Sequence, residues 1–176
     1  MKLCALVIGH KKSSPGAMNQ SARLTEFDFN EELAFKIEQQ ISKVNIQRVY
    51  RRTFSTLPSD INELEADFII SLHCNAFNKT ASGTETLYYH RSKNGKLMAE
   101  ILNNQLVSAL NLKNRGIKAK TSEDRGGSLL KNTLAPCVIA EPFFIDNDSD
   151  LEIAISKQQQ LIRAYVEAIE TISTLF

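Results

Sequence analysis

Leu3-Cys4-Ala5-Leu6-Val7-Ile8 is the stretch that decides the fold, because it is an uninterrupted apolar run that leads through Gly9 into His10. Continuous runs of this kind, rich in Val, Ile and Leu, are typical of strands buried on both faces of a parallel sheet. Two further apolar runs end in the same way. Phe68–Leu72, apolar except for Ser71, leads into His73, and Cys137–Ala140 leads into Glu141.

The three polar residues at the strand ends are predicted to meet at one rim of the sheet. In open α/β sheets ligands bind beyond the carboxyl ends of the strands, so these side chains point toward a shared site. His10 and His73 are two of only three histidines in the chain. Two imidazoles together with carboxylates are the ligand chemistry of a catalytic zinc, so the pattern predicts a metal site at this rim.

Composition narrows the classes of protein without selecting one. A chain of 176 residues with 43% hydrophobic content suits one domain with a single core. The 21 basic and 20 acidic side chains balance, which gives no electrostatic reason to expect nucleic acid or an anionic membrane as a partner. No apolar stretch approaches the roughly 18 residues that a membrane span requires. The three cysteines, Cys4, Cys74 and Cys137, are expected to be reduced core residues of a protein made in the cytosol.

Strands and helices are predicted to alternate along the chain without a linker or a repeat. An amphipathic first helix, preceded by a loop, is indicated by apolar positions at helical spacing: Leu33, Ile37, Ile41 and Val44. A turn is predicted at Pro58–Asp60, a second helix over about Asn94–Leu110 and a last helix over about Asp150–Leu175. The alternation predicts the α/β class, with one domain built on a twisted, mixed, mostly parallel sheet and helices on both faces.

A catalytic zinc commonly has three protein ligands and leaves the fourth position for water, so a third ligand is needed. The candidates are four acidic residues after His10: Glu26, Asp28, Glu31 and Glu32. Glu31 and Glu32 fall at the start of the predicted helix, where the helix dipole alone favours acidic residues. Glu26 lies ahead of the predicted helix, in a loop free to bend toward the end of the first strand. The residues by themselves favour Glu26 and leave its neighbours open.

Four blocks of sequence, spread over essentially the whole chain, together resemble the zinc-dependent N-acetylmuramoyl-L-alanine amidases of type 3, the sporulation and phage endolysin class. The blocks are Val7–His10, Thr25–Asn30 with Leu33-Ala34, Ile70–Ala76 followed by Gly83–Glu85, and Pro136–Phe144. The resemblance implies one Zn²⁺ per chain, held by His10, Glu26 and His73, with Glu141 as the catalytic carboxylate. In the second block the spacing of Glu26 to Asn30 and Ala34 fits the family, whereas Glu31 and Glu32 do not fit it.

Two lysines depart from the family pattern next to the first histidine. Many members have two glycines after it, whereas this chain has Lys11 and Lys12. The replacement is expected to affect the conformation of the loop and the fit of the substrate more than the metal site. Two further residues are candidates for substrate binding: Asn75, two positions after His73, and Lys131, at a place where the family often has a basic residue. Structural or ordinary surface roles are the alternatives for both.

The resemblance implies hydrolysis, by zinc-activated water, of the amide that joins N-acetylmuramic acid to L-alanine in peptidoglycan. Two alternatives stay open. One is a related zinc amidohydrolase of carboxypeptidase type that acts on a small substrate. The other is a wall-binding module that has kept the fold and lost catalysis.

Residues 1–176 are expected to form a single catalytic domain without a separate wall-binding domain. The first apolar run is too short for a signal peptide, so the protein is expected to be made in the cytoplasm. These features favour a bacteriolytic endolysin of a phage or prophage, released to the cell wall through a holin or by another route. The expected partner is peptidoglycan, with no nucleic acid and no integral membrane association, and a monomer is favoured.

Overall fold

A six-stranded sheet forms the centre of the molecule in a computed structural model that describes residues 1–176. The chain forms these strands: β1 (Leu3–Ile8), β2 (Met18–Asn19), β3 (Leu24–Thr25), β4 (Asn45–Tyr50), β5 (Phe68–Leu72), β6 (Thr84–Tyr89), β7 (Asn114–Lys120) and β8 (Cys137–Glu141). The central sheet has the order β4-β1-β5-β8-β6-β7, and β2 pairs with β3 in a separate two-stranded ribbon.

The strand directions place the ends of three central strands side by side. β4, β1, β5 and β8 run parallel, so the carboxyl ends of β1, β5 and β8 lie together at one rim of the sheet. β6 runs antiparallel to β8 and therefore begins at this same rim, and β7 is parallel to β6. The sheet is mixed and mostly parallel, which confirms the predicted fold class.

Helices cover both faces of the sheet, but unequally. They are α1 (Glu26–Gln40), α2 (Leu57–Asn62), α3 (Lys93–Leu110), α4 (Gly127–Asn132), α5 (Asp148–Ser156) and α6 (Gln158–Ser173). On one face, α1, α3 and α6 contribute to a core of 31 buried residues. On the other face, the short α2 and α4 contribute to a core of only 11. We call these the large face and the small face.

Strand β1 shows why the first apolar run is continuous. Successive side chains of a strand point to opposite faces of the sheet. Cys4, Leu6 and Ile8 lie in the large-face core, and Ala5 and Val7 lie in the small-face core. Both faces are covered, so every position from Cys4 to Ile8 is buried and apolar.

Three predicted element boundaries are wrong, each for a local reason. The turn predicted at Pro58–Asp60 is helix α2, in which Pro58 occupies the first turn, where the fixed φ of proline suits a helix. The last helix is two helices, because Lys157 leaves the helical conformation and its ammonium group donates to the Leu110 carbonyl, 2.9 Å away. Helix α1 begins at Glu26, because the Thr25 hydroxyl accepts a hydrogen bond from the Asp28 N–H and caps the helix there.

None of the helices combines the length and the apolar character that crossing a membrane would require.

Candidate metal centre and its cavity

The two histidines reach the rim through very close packing of strand ends. Gly9 donates its N–H to the Leu72 carbonyl at 2.9 Å, which ties the end of β1 to the end of β5. A Cβ atom at Gly9 would lie 2.4 Å from that carbonyl oxygen and 2.7 Å from the His73 ring, so only glycine fits. The next residue, His10, has a positive φ of 67°, which is uncommon for a residue with a side chain and turns its ring toward His73. The two ring centroids are 5.2 Å apart.

Glu26 lies between the two imidazoles and is completely buried. Its Oε1 lies 2.9 Å from Nδ1 of His73 and accepts a hydrogen bond from the Cys74 N–H at 3.0 Å. Its Oε2 accepts a hydrogen bond from the Ala17 N–H at 3.2 Å and lies 3.1 Å from Nε2 of His10. Burial alone would raise the pKa of Glu26, but the interactions with His10 and His73 hold that pKa well below its usual range. Glu26 is therefore a carboxylate, and it is oriented from four sides.

These three residues have the geometry of a site for one divalent cation. One possible ligand atom from each of His10, Glu26 and His73 lies within 4.8 Å of the other two. Nε2 of His10 is close to Glu26 but outside hydrogen-bonding geometry, so it is a buried nitrogen without a hydrogen-bond partner. Two neutral imidazoles and one carboxylate are the donor set of many catalytic zinc sites. The unpartnered Nε2 of His10 lies beside the Glu26 carboxylate, which is the arrangement expected of two ligands that would share one cation.

Gly16 closes the other side of the cluster, a role that was not predicted from the sequence. It has a positive φ of 83°, and a Cβ there would lie 2.6 Å from Oε2 of Glu26 and 2.7 Å from the His10 ring. The loop between β1 and α1 therefore packs its backbone directly against the cluster. A glycine in the polar loop after His10 was the available signal, but spacing alone could not show which atoms it meets.

Glu141 is the last residue of β8 and stands across the rim from the cluster. It pairs in register with Glu85, the second residue of the antiparallel strand β6. Burial raises the pKa of Glu141 to about 7, with His73 acting to lower it and Glu85 acting to raise it. The two site carboxyls thus differ in state: Glu26 is held ionised, whereas Glu141 titrates near neutrality.

Glu85 is a charged residue of this rim to which the sequence analysis gave no role. Its Oε2 accepts a hydrogen bond from Nε of Arg115 at 2.7 Å, and its Oε1 accepts one from Nδ2 of Asn75 at 2.9 Å. The Arg115 guanidinium in turn lies 5.0 Å from the ring centroid of Phe144. Glu85 is therefore a fixed, paired negative charge beside Glu141. The Asn75 amide is occupied by Glu85, so the structure gives Asn75 a positioning contact within the chain.

A cavity of about 420 Å³ opens beside the cluster on the small face, and we call it the rim cavity. His10, His73 and Glu141 lie along its polar side, and its apolar wall is formed by small-face residues that include Val7, Leu57, Leu129 and Ile139. Two arginines also line it, Arg51 and Arg125. Neither arginine stands in a sequence pattern that predicts a place in the site.

Lys131 is not brought to the rim cavity. It lines a different cavity, of about 390 Å³, together with Tyr89 and Cys137. Tyr89 is the last residue of β6 and Cys137 is the first of β8, so this second cavity lies at the opposite end of those strands. Helix α4 explains the difference, because its first residues face the rim cavity while Lys131 sits in its last turn.

Lys11 and Lys12 form a short turn outside the rim cavity. The backbone of Lys11 exchanges two hydrogen bonds with Ser14, and neither lysine has a positive φ. The loop in this chain therefore does not require glycine at these two positions. The candidate ligands His10, Glu26 and His73 keep their close arrangement beside it.

The chain is similar to known proteins over nearly its whole length. Residues 4–171 match the family model described as N-acetylmuramoyl-L-alanine amidase. The chain is 28% identical over 151 residues to the N-acetylmuramoyl-L-alanine amidase LytC of Bacillus subtilis, a match that covers 81% of this chain and 29% of LytC. An N-acetylmuramoyl-L-alanine amidase from Clostridium difficile 630 has the same fold, with 24% identity, a TM-score of 0.85 and coverage of 97% of this chain and 95% of that one. The catalytic domain of the CD27L endolysin, which targets Clostridia Difficile, gives 27% identity, a TM-score of 0.80 and 97% coverage of both chains.

Proposed function

The chain belongs to the N-acetylmuramoyl-L-alanine amidase family of cell-wall hydrolases, and on that premise we propose a zinc-dependent mechanism for its amidase activity. The bond cleaved is the amide between the lactyl group of N-acetylmuramic acid and L-alanine of the stem peptide. The observation that carries the proposal is the pairing of two different carboxyls at one rim. Glu26 is buried as an ion between two imidazoles, and Glu141 titrates near neutrality across the rim.

His10, Glu26 and His73 are the residues that would hold the zinc ion. When bound, zinc polarises the carbonyl of the amide and lowers the pKa of a water molecule from 15.7 to about 7. The residues around the cluster keep the three ligands in place. The Ala17 and Cys74 N–H groups fix both oxygens of Glu26, and Gly9 and Gly16 allow the backbone to approach the imidazoles.

Glu141 moves the proton in this mechanism. It takes a proton from the attacking water at one carboxylate oxygen and returns it to the departing alanine nitrogen, which then leaves as a neutral amine. A group serves both steps best when its pKa is close to the working pH, and burial places the pKa of Glu141 at about 7. Glu85 lies beside Glu141 in the sheet and pairs with Arg115 at 2.7 Å, so its side chain is held in place during the transfer.

The release route is proposed to be that of an endolysin, made in the cytoplasm and passed to the wall through a holin. The support is the similarity to the catalytic domain of an endolysin over 97% of both chains. Expression in the cytoplasm of a susceptible bacterium, with and without a co-expressed holin, tests this route. Lysis that depends on both proteins is the expected result, and lysis without the holin contradicts it.

Digestion of purified peptidoglycan tests the activity and its metal dependence. The protein is assayed as prepared, after chelation, and after chelation followed by zinc, with the products analysed by mass spectrometry. We expect stem peptides that begin at L-alanine and glycan free of peptides, lost on chelation and restored by zinc. Undigested peptidoglycan from a metal-loaded protein would overturn the proposal and favour a hydrolase of small substrates.

A further inference from the structure

Arg51 is a buried arginine without a partner, and it lines the rim cavity. Only 6% of its surface is exposed, and it makes no ion pair and no side-chain hydrogen bond. Its Nε is buried and unpaired. The guanidinium carbon lies over the Phe54 ring, 3.6 Å from its centroid, so the charge contacts an aromatic ring instead of a carboxylate.

Burying an unpaired charge lowers the stability of the fold, and two other arginines near this site avoid this because each has a partner. Arg115 pairs with Glu85 at 2.7 Å. Arg52, the next residue after Arg51, is exposed and pairs with Asp60. Both residues directly follow the end of β4, and of the two only Arg51 lines the rim cavity.

A second arginine also lines the cavity. Arg125 precedes helix α4, lines the cavity with Glu141, and has no hydrogen-bond or ion-pair partner within the chain. The carboxylates of Glu26 and Glu141 are formally balanced by one divalent cation. The two arginines then leave the rim cavity with unneutralised positive charge, so the chemistry of the cavity suits an anionic ligand group.

We propose that Arg51, assisted by Arg125, binds a carboxylate of the stem peptide and makes the enzyme selective for acidic stems. This inference rests on the proposed function, because the amide is cleaved at the rim and the peptide lies in the cavity beside it. The first carboxylate beyond L-alanine belongs to the second stem residue, a glutamate whose α-carboxyl is free in some walls and amidated in others. The Arg51 guanidinium, whose carbon lies 3.6 Å from the Phe54 ring centroid, is a planar fork of N–H donors, which matches the two oxygens of a carboxylate and not a neutral amide.

Two matched muropeptides test the selectivity directly, one with the free α-carboxyl on the second residue and one with its amide. We expect the wild-type enzyme to favour the acidic substrate in kcat/KM by about 10- to 100-fold, the range of a charge-assisted hydrogen bond. Arg51→Gln should lose that preference by slowing the acidic substrate alone. Arg51→Lys, which keeps the charge without the fork, should retain part of it. Arg52→Gln is the matched control, because it removes the neighbouring exposed arginine and should leave both rates unchanged.

A binding measurement separates recognition of the stem peptide from catalysis. In the Glu141→Gln background, calorimetry should give a weaker Kd for the acidic muropeptide when Arg51→Gln is added and no change for the amidated one. Equal loss on both substrates in Arg51→Gln would mean that Arg51 only holds the loop that carries Phe54, and it would overturn the proposal. If Arg51→Gln does not fold, the substrate preference of the wild type and of Arg125→Gln tests the inference instead. A wild-type enzyme that cleaves the acidic and the amidated substrate equally well contradicts it. Failure of the wild type to cleave either muropeptide would instead count against the proposed function.

Discussion

The two faces of the central sheet divide stability from chemistry. The large face is sealed by α1, α3 and α6, and its core of 31 residues includes fully buried Tyr165 and Leu33 at 1% exposure. The small face is covered by two six-residue helices, α2 and α4, and its core has 11 residues. Short helices cannot cover the sheet to its end, and the rim cavity opens where their cover stops.

Half of the buried polar atoms that have no hydrogen-bond partner lie at the rim cavity. Six buried side-chain polar atoms have no hydrogen-bond partner, and three of them, in His10, Arg51 and Ser71, belong to residues that line the rim cavity. Such atoms reduce stability, because a buried polar group without a partner costs free energy. Ligands in the rim cavity could satisfy these three atoms, and the larger core on the other face provides most of the apolar burial.

The largest expected effect is the loss of activity when Glu141, at the rim cavity of the small face, is replaced. Glu141→Gln should lower kcat by about 10²- to 10⁴-fold, because it removes the proton carrier, while zinc binding stays stoichiometric. His73→Ala should lose both activity and zinc. Peptidoglycan hydrolysis and metal analysis of the same preparations measure the two properties. A Glu141→Gln enzyme that keeps most of its activity would rule out this role.

The next largest effect compares one leucine on each face. Leu33→Ala on the large face should lower the free energy of unfolding by about 2–5 kcal/mol, because it leaves a cavity that the surrounding helices cannot fill. Leu129→Ala on the small face should cost about 1–2 kcal/mol, because the side chain already borders the open rim cavity. Urea unfolding of both variants checks the difference. Equal losses would mean that the small face is packed as tightly as the large one.

The sequence predicts the large-scale arrangement well, because buried parallel strands leave an unmistakable apolar signal. The runs before His10, His73 and Glu141 identify three neighbouring strands and the rim that they share. Strand β7 was missed, since its sequence from Asn114 to Lys120 is mostly polar and it is an edge strand with little burial.

The site was predicted where a residue ends a buried strand and was missed where the tertiary structure creates the contact. The residues alone favoured Glu26 as the third ligand without excluding its neighbours. Its hydrogen-bond partners Ala17 and Cys74 are brought to it by the packing of loops, which the sequence does not show. Arg51 could not be predicted as a cavity residue, because the adjacent pair Arg51-Arg52 gives no sign of which member points inward. Lys131 was predicted from a place where the family often has a basic residue, but it lies in the last turn of α4 and lines the cavity at the opposite end of β6 and β8.

Glu141 should also make the small face sensitive to pH. Its pKa is raised above that of the unfolded chain, from 4.5 to about 7, so its contribution to stability is fully present below pH 4.5 and is lost as the pH rises through 7. Glu141→Gln does not titrate, so the metal-free variant should become more stable than metal-free wild type above pH 7, by at most about 3 kcal/mol. Thermal unfolding of both chelated proteins from pH 4.5 to pH 8 measures the gap. A gap that stays constant over this range would contradict the assignment.

The smallest expected effect is a change in stability at Lys11 and Lys12, which lie outside the rim cavity. Lys11 and Lys12 form a turn with Ser14 and have no positive φ, so glycine offers no conformational advantage there. Lys11→Gly with Lys12→Gly should lower the free energy of unfolding by about 1–2 kcal/mol, because two glycines enlarge the conformational freedom of the unfolded chain. Zinc affinity and kcat should stay unchanged, since neither lysine lines the rim cavity or contacts the cluster. Denaturation, metal titration and hydrolysis of the double variant measure these quantities separately, and a change in zinc affinity would show that the turn helps to hold His10.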